Sequence, residues 1–442
     1  MVQDERRGDE RIPSRAVTAW TVGLLCVSVV ACGVIAGGLL HDPEPELTTA
    51  PPTTTRVTTP TAPPPSYRTP KVVYPVTIPG CDQVEPPAEG GLVGRWVGMS
   101  QFGYDNPAFP WFSGPKAVAM SAAARAALPP EVVVDWASLD RSLIFEPIIG
   151  DTDDKYGSST FAAADVHRGD LVGSVSVSVR ADGTVPPCRA GSLDERRVLP
   201  DGTTVDLLDT WSEVDGVRTL SRGATAYLAD GSIVDAGSTD AGGRDARPTG
   251  TVPISRDELV ALATAPGLRT SAPVPPGTPG PPEPCAVAVE QSDPISQATA
   301  ERLGRVLSGV RLDGLDRPLT ELRPGTYNTD GVCQVVGVIT DGQRSRLAVT
   351  IAAGQPLPEQ TSPDDGTTFR ALPDGTVVQT RDDVSTSMTA DGPRSRSSRV
   401  VTVTRPAGTR VTLSSTAEEP GQALPLAQLE AIALTPGLEV TR

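Results

Sequence analysis

The stretch RVLPDGT at residues 197–203 recurs as RALPDGT at 370–376, and this repetition decides the fold of the chain. Two further blocks repeat in the same order around it. The earlier block is LDRSL at 139–143, which returns as LDRPL at 315–319, and the later one is LVALATAPGL at 259–268, which returns as LEAIALTPGL at 429–438. Three blocks in one order, with a period of about 175 residues, indicate an internal duplication.

A segment rich in proline and glycine, residues 271–284, separates the two copies of the repeat. Such a composition is typical of a connection between domains. We therefore predict a first domain over residues 78–270 and a second domain, its repeat, over residues 285–442.

Each repeat combines helical and strand patterns. Helices are predicted over 115–128 and 294–307, each with a proline near its start, where a missing backbone amide costs nothing. Valine and serine alternate over 175–179, and a period of two indicates a strand with one buried face. Asp-Gly pairs, which accept the positive φ of tight hairpins, separate the strands at 182, 201, 215, 230, 341, 374 and 391.

A further helix closes each repeat. In the first repeat Ser255 and Glu258 have the spacing of a capping box, and apolar residues follow on one face. Both closing helices are predicted to stop at Pro-Gly. The predicted fold class is α+β, with an antiparallel β-meander and flanking helices in each of two tandem domains.

The N-terminal part of the chain has the pattern of a membrane anchor. Residues 16–40 carry no charge and are long enough, as a helix, to cross the hydrocarbon core. Four arginines lie in residues 1–15 and none in 41–55, so the positive-inside rule places the N-terminal tail in the cytoplasm. We predict a single-pass type II signal-anchor, with the bulk of the chain extracytoplasmic.

Two alternatives use the same apolar segment. Val29-Val30-Ala31-Cys32 resembles the cleavage box of bacterial lipoproteins, in which Cys32 would be lipidated, although the chain stays apolar to residue 40. Gly33 and Gly37 have the spacing that lets two membrane helices pack as a weak homodimer. A glycine-rich helix in a glycine-rich chain explains the same spacing.

Residues 41–77 are dominated by proline and threonine in their first thirty positions. Proline fixes φ and removes amide donors, so this linker favours extended polyproline II and cannot bury a core. It is predicted to be a stalk that lifts the globular part away from the membrane, for example through a cell wall.

Composition limits the class of partner. The formal net charge of −16 repels phosphates, so we expect no nucleic-acid partner. Arginine outnumbers lysine by 35 to 3, a preference typical of high-GC, actinobacterial-like genomes. Aromatic residues make up 4% of the chain, so the cores must consist mainly of aliphatic side chains.

Four cysteines lie outside the apolar segment, where disulfides persist if the region is exported. Because the linker separates two self-contained repeats, we expect the pairs Cys81–Cys188 and Cys285–Cys333. The second cysteines occupy different places in the two repeats, so the bridges are expected to tie different strands. No C-x-x-C motif occurs, and we predict no metal site.

Some residues resemble parts of familiar catalytic motifs, but each of these motifs is incomplete. The only histidines are His41 and His167, and no G-x-S-x-G motif accompanies them. Ser113 and Lys116 match S-x-x-K in spelling, but no Lys-Thr-Gly follows. Asp151 begins an acidic loop that lacks the glycine and final glutamate of a calcium loop. We predict no catalytic residue, no cofactor and no phosphate-binding loop.

Between residues 81 and 115 the first repeat carries an insertion of about 25 residues that the second repeat lacks. It concentrates the aromatic side chains of the chain, which either cover the first core or form a contact surface for a wall glycan or a partner protein. The candidate partner-binding residues are Trp96, Phe102, Tyr104, Phe109, Trp111 and Phe112.

These features predict a membrane-anchored, extracytoplasmic binding module of a bacterial cell envelope, which recognises an envelope protein or a cell-wall glycan. Two other classes stay open. One is an envelope hydrolase that uses a pair of carboxylates, whose spacing in the sequence is not fixed. The other is a carrier that binds a small ligand between the two domains, where ligand sites often occur.

Overall fold

The computed structural model describes ten stretches of the chain, and residues 65–442 form a compact unit. None of the helices in these stretches is long and apolar enough to cross a membrane. The predicted span 16–40, with Cys32, Gly33 and Gly37, lies outside them and stays a prediction. The described residues are 66–88, 103–148, 159–181, 183–242, 247–287, 289, 291–326, 329–359, 366–389 and 392–440.

The first repeat contains an eight-stranded antiparallel sheet. Its order is β1-β6-β7-β8-β4-β3-β2, and β5 pairs with the same edge of β6 as β1. The strands are β1 (Tyr67–Arg68), β2 (Val133–Val134), β3 (Thr160–Arg168), β4 (Leu171–Arg180), β5 (Glu195–Val198), β6 (Thr204–Val214), β7 (Val217–Tyr227) and β8 (Ile233–Thr239).

The second repeat contains a seven-stranded antiparallel sheet in the order β12-β13-β14-β15-β11-β10-β9. Apart from β1, this order reproduces that of the first sheet strand for strand, so the duplication read in the sequence is also a duplication of topology. The strands are β9 (Arg323–Gly325), β10 (Thr329–Thr340), β11 (Gln343–Ala352), β12 (Thr368–Ala371), β13 (Val377–Thr389), β14 (Gly392–Thr404) and β15 (Arg410–Glu418).

The sheets are not the simple meanders that the turn pattern predicts. In the first sheet β4 pairs with β8 rather than with the next strand, and in the second sheet β11 pairs with β15. The connections after β4 and β11 contain Pro186, Pro187, Pro356 and Pro358. Proline has no amide to give to a sheet ladder, so the chain leaves the sheet there and returns at its far edge.

The Asp-Gly pairs at 201, 215, 230, 341 and 374 lie in the predicted hairpin turns. Asp215 and Gly216 have φ of 50° and 81°, and Asp341 and Gly342 have 51° and 75°, as a two-residue type I′ turn requires. Gly183, whose neighbour Asp182 lies outside the described residues, is different: its amide donates to the carbonyl of Gly231 at 3.0 Å. It begins the crossover instead of a hairpin.

Four α-helices accompany the sheets in the described residues: α1 (Gly114–Ala127), α2 (Arg256–Ala263), α3 (Gln297–Ser308) and α4 (Leu426–Ala433). Ser255 caps α2 in the predicted capping box with Glu258. The closing helices α2 and α4 contact the last two strands of their sheets, β7 and β8 or β14 and β15. The structure is therefore mixed α+β, with two antiparallel sheets and few helices.

Each sheet has its own core. The first core packs the aliphatic residues of β3, β4 and β6–β8 against α1 and α2, with Phe145 and Met120 among the largest buried side chains. The second core, built around Leu303 and Leu307 of α3 and the valines of β10–β15, contains no buried aromatic residue among those described. Trp136 of the first repeat packs against it, which joins the two repeats.

Both predicted disulfides are present. Cys81 bonds to Cys188, which lies in the crossover between β4 and β5. Cys285 bonds to Cys333 on β10. The two bridges therefore tie different parts of the repeated sheet, as the unequal positions of the second cysteines predicted.

Candidate functional site

A groove with a volume of about 580 Å³ lies between the two repeats. This is within the range of ligand sites, roughly 300–1,000 Å³. One wall comes from the first repeat and the other from the end of the linker and the second sheet. Its lining residues are Tyr104, Leu139, Asp140, Ile144, Glu146, Pro147, Pro282, Pro284, Cys285, Ala286, Thr326 and Arg346. We call this site the inter-repeat groove.

The first wall is the segment that follows the 3₁₀ turn Leu139–Arg141, and Leu143 at its start has a left-handed φ of 50°. The amide of Leu143 donates to the carbonyl of Ala163, and that of Glu146 to the carbonyl of Phe161, both at 2.8 Å. Leu143 and Phe145 are fully buried in the first core. Ile144 and Glu146, which follow these two buried residues in turn, are only partly buried and line the groove.

The repeated block LDRSL fixes the start of this wall. Arg141 donates to the carboxylate of Asp165 on β3, with Nε 2.7 Å from one oxygen. The hydroxyl of Ser142 donates to the carbonyl of Ser138 at 2.7 Å. These contacts hold the turn against β3, so that Leu139 and Asp140 lie at the groove.

The carboxylate of Glu146 and the phenol of Tyr104 are electrostatically coupled. Burial raises the pKa of Glu146 above its usual value, and the nearby charge of Asp140 raises it further. Burial, followed by the charge of Glu146, raises the pKa of Tyr104 well above its usual range. The groove therefore has an acidic wall in a partly desolvated setting, which favours a cationic group.

The second wall is mostly apolar. Pro282, Pro284 and Ala286 come from the end of the linker, and Cys285 is fixed by its disulfide to β10. The guanidinium of Arg346 forms an ion pair with the carboxylate of Glu283. Its positive charge is thus offset within the wall, and the carboxylates of the first wall dominate the charge of the groove.

Direct contacts join the repeats next to the groove. The guanidinium of Arg323 on β9 lies 3.5 Å from the hydroxyl of Ser142. Arg125 of α1 donates to the carbonyl of the same serine. Burial lowers the pKa of Arg125, and the charge of Arg323 adds to this effect. The guanidinium groups of Arg125 and Arg323 therefore both lie beside the buried Ser142, next to the groove.

The linker is fixed along the first repeat. Lys116 of α1 is buried, and its ammonium donates to the carbonyls of Arg269, at 2.8 Å, and Ala272. Gly114 packs closely against Pro281, since a Cβ at this glycine would lie 3.1 Å from the proline ring. The position of the second wall thus depends on α1.

The aromatic insertion is only partly described. Trp96 and Phe102 lie outside the described residues. Phe109 and Phe112 are buried in the first core, and Trp111 is partly buried against it, with ring centroids 5.4 Å apart for Trp111 and Phe112. Tyr104 is the described aromatic residue that lines the groove. A partner-binding role for these residues stays a prediction, and Tyr104 is best placed for it.

The residues that resembled catalytic motifs have structural partners. His167 Nδ1 lies 2.5 Å from the carboxylate of Asp135, and within the described part of the chain this histidine contacts no serine hydroxyl. Ser113 caps α1 by accepting from the amide of Lys116, whose ammonium serves the linker carbonyls. Neither pair resembles a nucleophile with its base.

No group of three or more histidine, cysteine, aspartate and glutamate residues that could hold a metal occurs in the described part of the chain. The calcium-loop candidates Asp151, Asp153 and Asp154 lie outside it.

No protein-family model, no curated protein and no solved structure matches this chain.

The sequence indicated the block 139–143 as part of the repeat, but not its place at a groove. Glu146, Arg346 and Glu283 belong to no motif in the sequence, because carboxylates and arginines are frequent in this chain and only the packing of the repeats brings these three together. The usable signal was the position of Glu146 in an otherwise apolar run, LIFEPII at 143–149.

Proposed function

We propose that this chain is a membrane-anchored, extracytoplasmic binding module of a bacterial envelope, and that its ligand occupies the inter-repeat groove. The supporting observation is the pairing of an apolar wall of prolines with the half-buried carboxylate of Glu146 and the phenol of Tyr104. The anchor is the predicted span 16–40, and the linker to residue 77 places the groove at a distance from the membrane.

The chemistry of the groove specifies the class of ligand. Asp140 and Glu146 attract a cation, while Arg346 is already paired with Glu283. An amine next to an apolar group satisfies both walls, since the prolines bury the apolar part and the carboxylates accept from the amine. The ligand is therefore an amine-bearing part of an envelope component, such as a peptide side chain or a small amine.

This groove could hold either kind of ligand that the sequence predicts, a small molecule or part of a partner protein. A groove between the repeats suits a small-ligand carrier, and Tyr104 connects it to the aromatic insertion that suits a partner protein. We favour a component of the envelope because the groove is open at the surface, where part of a larger molecule can enter.

Photo-crosslinking in cells tests this proposal. A photoreactive residue at Ile144 should capture an envelope component, and the same residue at Val172 on the exposed part of β4 should not. Glu146→Gln should reduce the capture at least tenfold, because it removes the charge that faces the amine. Equal capture at Ile144 and Val172, or unchanged capture by the Glu146→Gln variant, would refute the assignment.

A second candidate is a hydrolase that uses carboxylates. The observation in its favour is that Glu146, with its raised pKa, lies near Asp140 in a groove, as a general acid near a second carboxylate does. Turnover of cell-wall glycan or peptide fragments by the purified full-length chain, and its loss in both Glu146→Gln and Asp140→Asn, would favour this candidate over binding.

A further inference from the structure

The hairpin of β13 and β14 extends beyond the second sheet as a two-stranded ribbon. We call this ribbon the second arm and define it as Ser385–Thr389 with Gly392–Arg396. Among the described residues, β15 pairs with β14 only as far as Arg396, and β12 pairs with β13 only as far as Thr380. Such a ribbon is only marginally stable in water by itself.

The equivalent hairpin of the first repeat is reinforced. Its outer edge is covered by β1, in which Tyr67 lies opposite Val214 and Arg68 opposite Glu213. The guanidinium of Arg218 also lies over the ring of Trp211, 3.9 Å from its centroid. An antiparallel extended segment thus occupies this place in one of the two copies of the fold.

The second arm has neither of these reinforcements within the described residues, although its strands are longer. β13 has 13 residues and β6 has 11. Apolar side chains at this end of β13 are exposed as well, since Val384, next to the arm, and Met388, within it, are 72% and 80% accessible to solvent. Within the described residues, the edge of β13 therefore lacks the further strand that β1 supplies in the first repeat.

The other edge strands of the two sheets are protected against pairing with another chain. β1, β2 and β9 have two or three residues, and β9 contains Pro324; β5 and β12 have four. By contrast, residues 384–388 of β13 read Val-Ser-Thr-Ser-Met, without charge or proline. Proteins normally blunt a long edge with charges, proline or a bulge, so an edge without these features is suited to pairing.

The direction of the free backbone groups follows from the turn. Thr389 pairs with Gly392 across a two-residue connection, so in the regular ladder the odd-numbered residues of β13 face β14. The amides and carbonyls of Asp382, Val384, Thr386 and Met388 then point away from β14. They form a row of donors and acceptors for an added antiparallel strand.

We propose that this added strand is the same edge of a second copy of this chain. A twofold axis at Ser385 places Ser385 opposite Ser385 of the partner subunit, and pairs Val384 with Thr386 of the partner subunit. This arrangement matches the two edges in length, sets uncharged residues against uncharged residues, and places Asp383 opposite a serine. Two marginal ribbons become one four-stranded sheet.

Disulfide trapping tests the pairing and its register. In the proposed register the two Ser385 residues lie opposite each other without backbone hydrogen bonds between them. Cα atoms of such a pair lie about 4.5 Å apart, a distance that a disulfide can bridge. Full-length chain with Cys26→Ser, Cys32→Ser and Ser385→Cys should become mostly dimeric under mild oxidation. The matched control is Val198→Cys in the same background, because Val198 is 71% exposed on the short strand β5.

Sedimentation of the full-length chain in detergent provides the second measurement. Thr386→Lys should weaken dimerisation at least tenfold, whereas Val198→Lys should leave it unchanged, and both variants should melt cooperatively. A dimer that resists Thr386→Lys would point to the helices at Gly33 and Gly37 and overturn the proposal. A monomeric parent chain, or trapping of another protein at Ser385→Cys, would overturn it as well.

Discussion

The ammonium group of Lys116 lies 2.8 Å from the carbonyl oxygen of Arg269. The lysine lies in the first turn of α1, and the arginine caps the last 3₁₀ turn before the linker. This contact joins the two ends of the repeat and fixes the start of the linker that forms one wall of the inter-repeat groove. A residue that resembles a catalytic lysine in the sequence is thus a structural donor.

We expect Lys116→Ala to lower the free energy of unfolding by about 2–3 kcal/mol, because it leaves two backbone carbonyls without their donor and empties a buried site. Chemical denaturation of the purified chain measures this change. Lys71→Ala is the matched control, since Lys71 is exposed and its removal should change stability by less than about 0.5 kcal/mol. Equal effects of the two substitutions would contradict the assignment.

Glu146 should reduce the stability of the chain at neutral pH. Its pKa is raised by burial in the folded state, so folding disfavours the charged form, and stability falls as the pH rises through the usual and then the raised pKa. Glu146→Gln should therefore unfold at a higher temperature at pH 7, whereas at pH 3, where the glutamate is protonated in both states, the gain should vanish. Thermal melts at both pH values test this, and a gain that persists at pH 3 would contradict it.

The capping box of α2 should stabilise the first repeat. Glu258 accepts from the amide of Ser255 at 2.8 Å and from Arg168 at 2.6 Å, and the arginine is the first cause of its low pKa of about 2. Glu258→Ala should cost about 1–2 kcal/mol at neutral pH. Because the folded pKa is lowered, this contribution should be lost as the pH falls from about 4.5 through about 2.

Gln428 provides the control for that experiment. It occupies the corresponding position of α4, which begins at Pro425 without a side-chain cap. Gln428→Ala should therefore have little effect at any pH. A loss at Gln428 as large as that at Glu258 would show that the position, and not the capping box, determines stability.

Both disulfides should stabilise the chain, and the wider loop should contribute more. The bridges close loops with separations of 107 and 48 residues, which the chain-entropy model converts to about 5 and 4 kcal/mol as upper values. Two double variants test this: Cys81→Ser with Cys188→Ser, and Cys285→Ser with Cys333→Ser. Both should have a lower denaturation midpoint than the parent chain, and the first should be lowered more. Reductant should then destabilise the parent chain more than either double variant.

Much of the fold follows from local patterns in the sequence. The duplication and the disulfide pairs follow from the order of the repeated blocks and from the linker between them. The helix starts and most hairpins rest on features within a few residues, such as Asp215-Gly216 or the pair of Ser255 and Glu258. These features act locally, through φ angles and caps, so single stretches of sequence predict them.

The order of the strands does not follow from such patterns. Nothing near Arg180 indicates that β4 pairs with β8 instead of β5, because that choice depends on where the chain goes after the prolines of the crossover. The groove is even harder to predict from the sequence, since Glu146 and Arg346 come together only when the two repeats pack. The sequence predicts a binding role for Tyr104 because of its aromatic ring. Its place beside Glu146 follows only from the fold.

The pairing of β4 with β8 also determines when the protein can fold. Arg180 lies beside Ile233 in the first sheet, and Ala352 lies beside Arg410 in the second. Neither sheet can close before its last strand has been synthesised, and such distant pairings form slowly. A chain that ends after residue 270 contains every strand of the first sheet, whereas one that ends before residue 233 does not. The first sheet can therefore close while the ribosome is still making the second repeat.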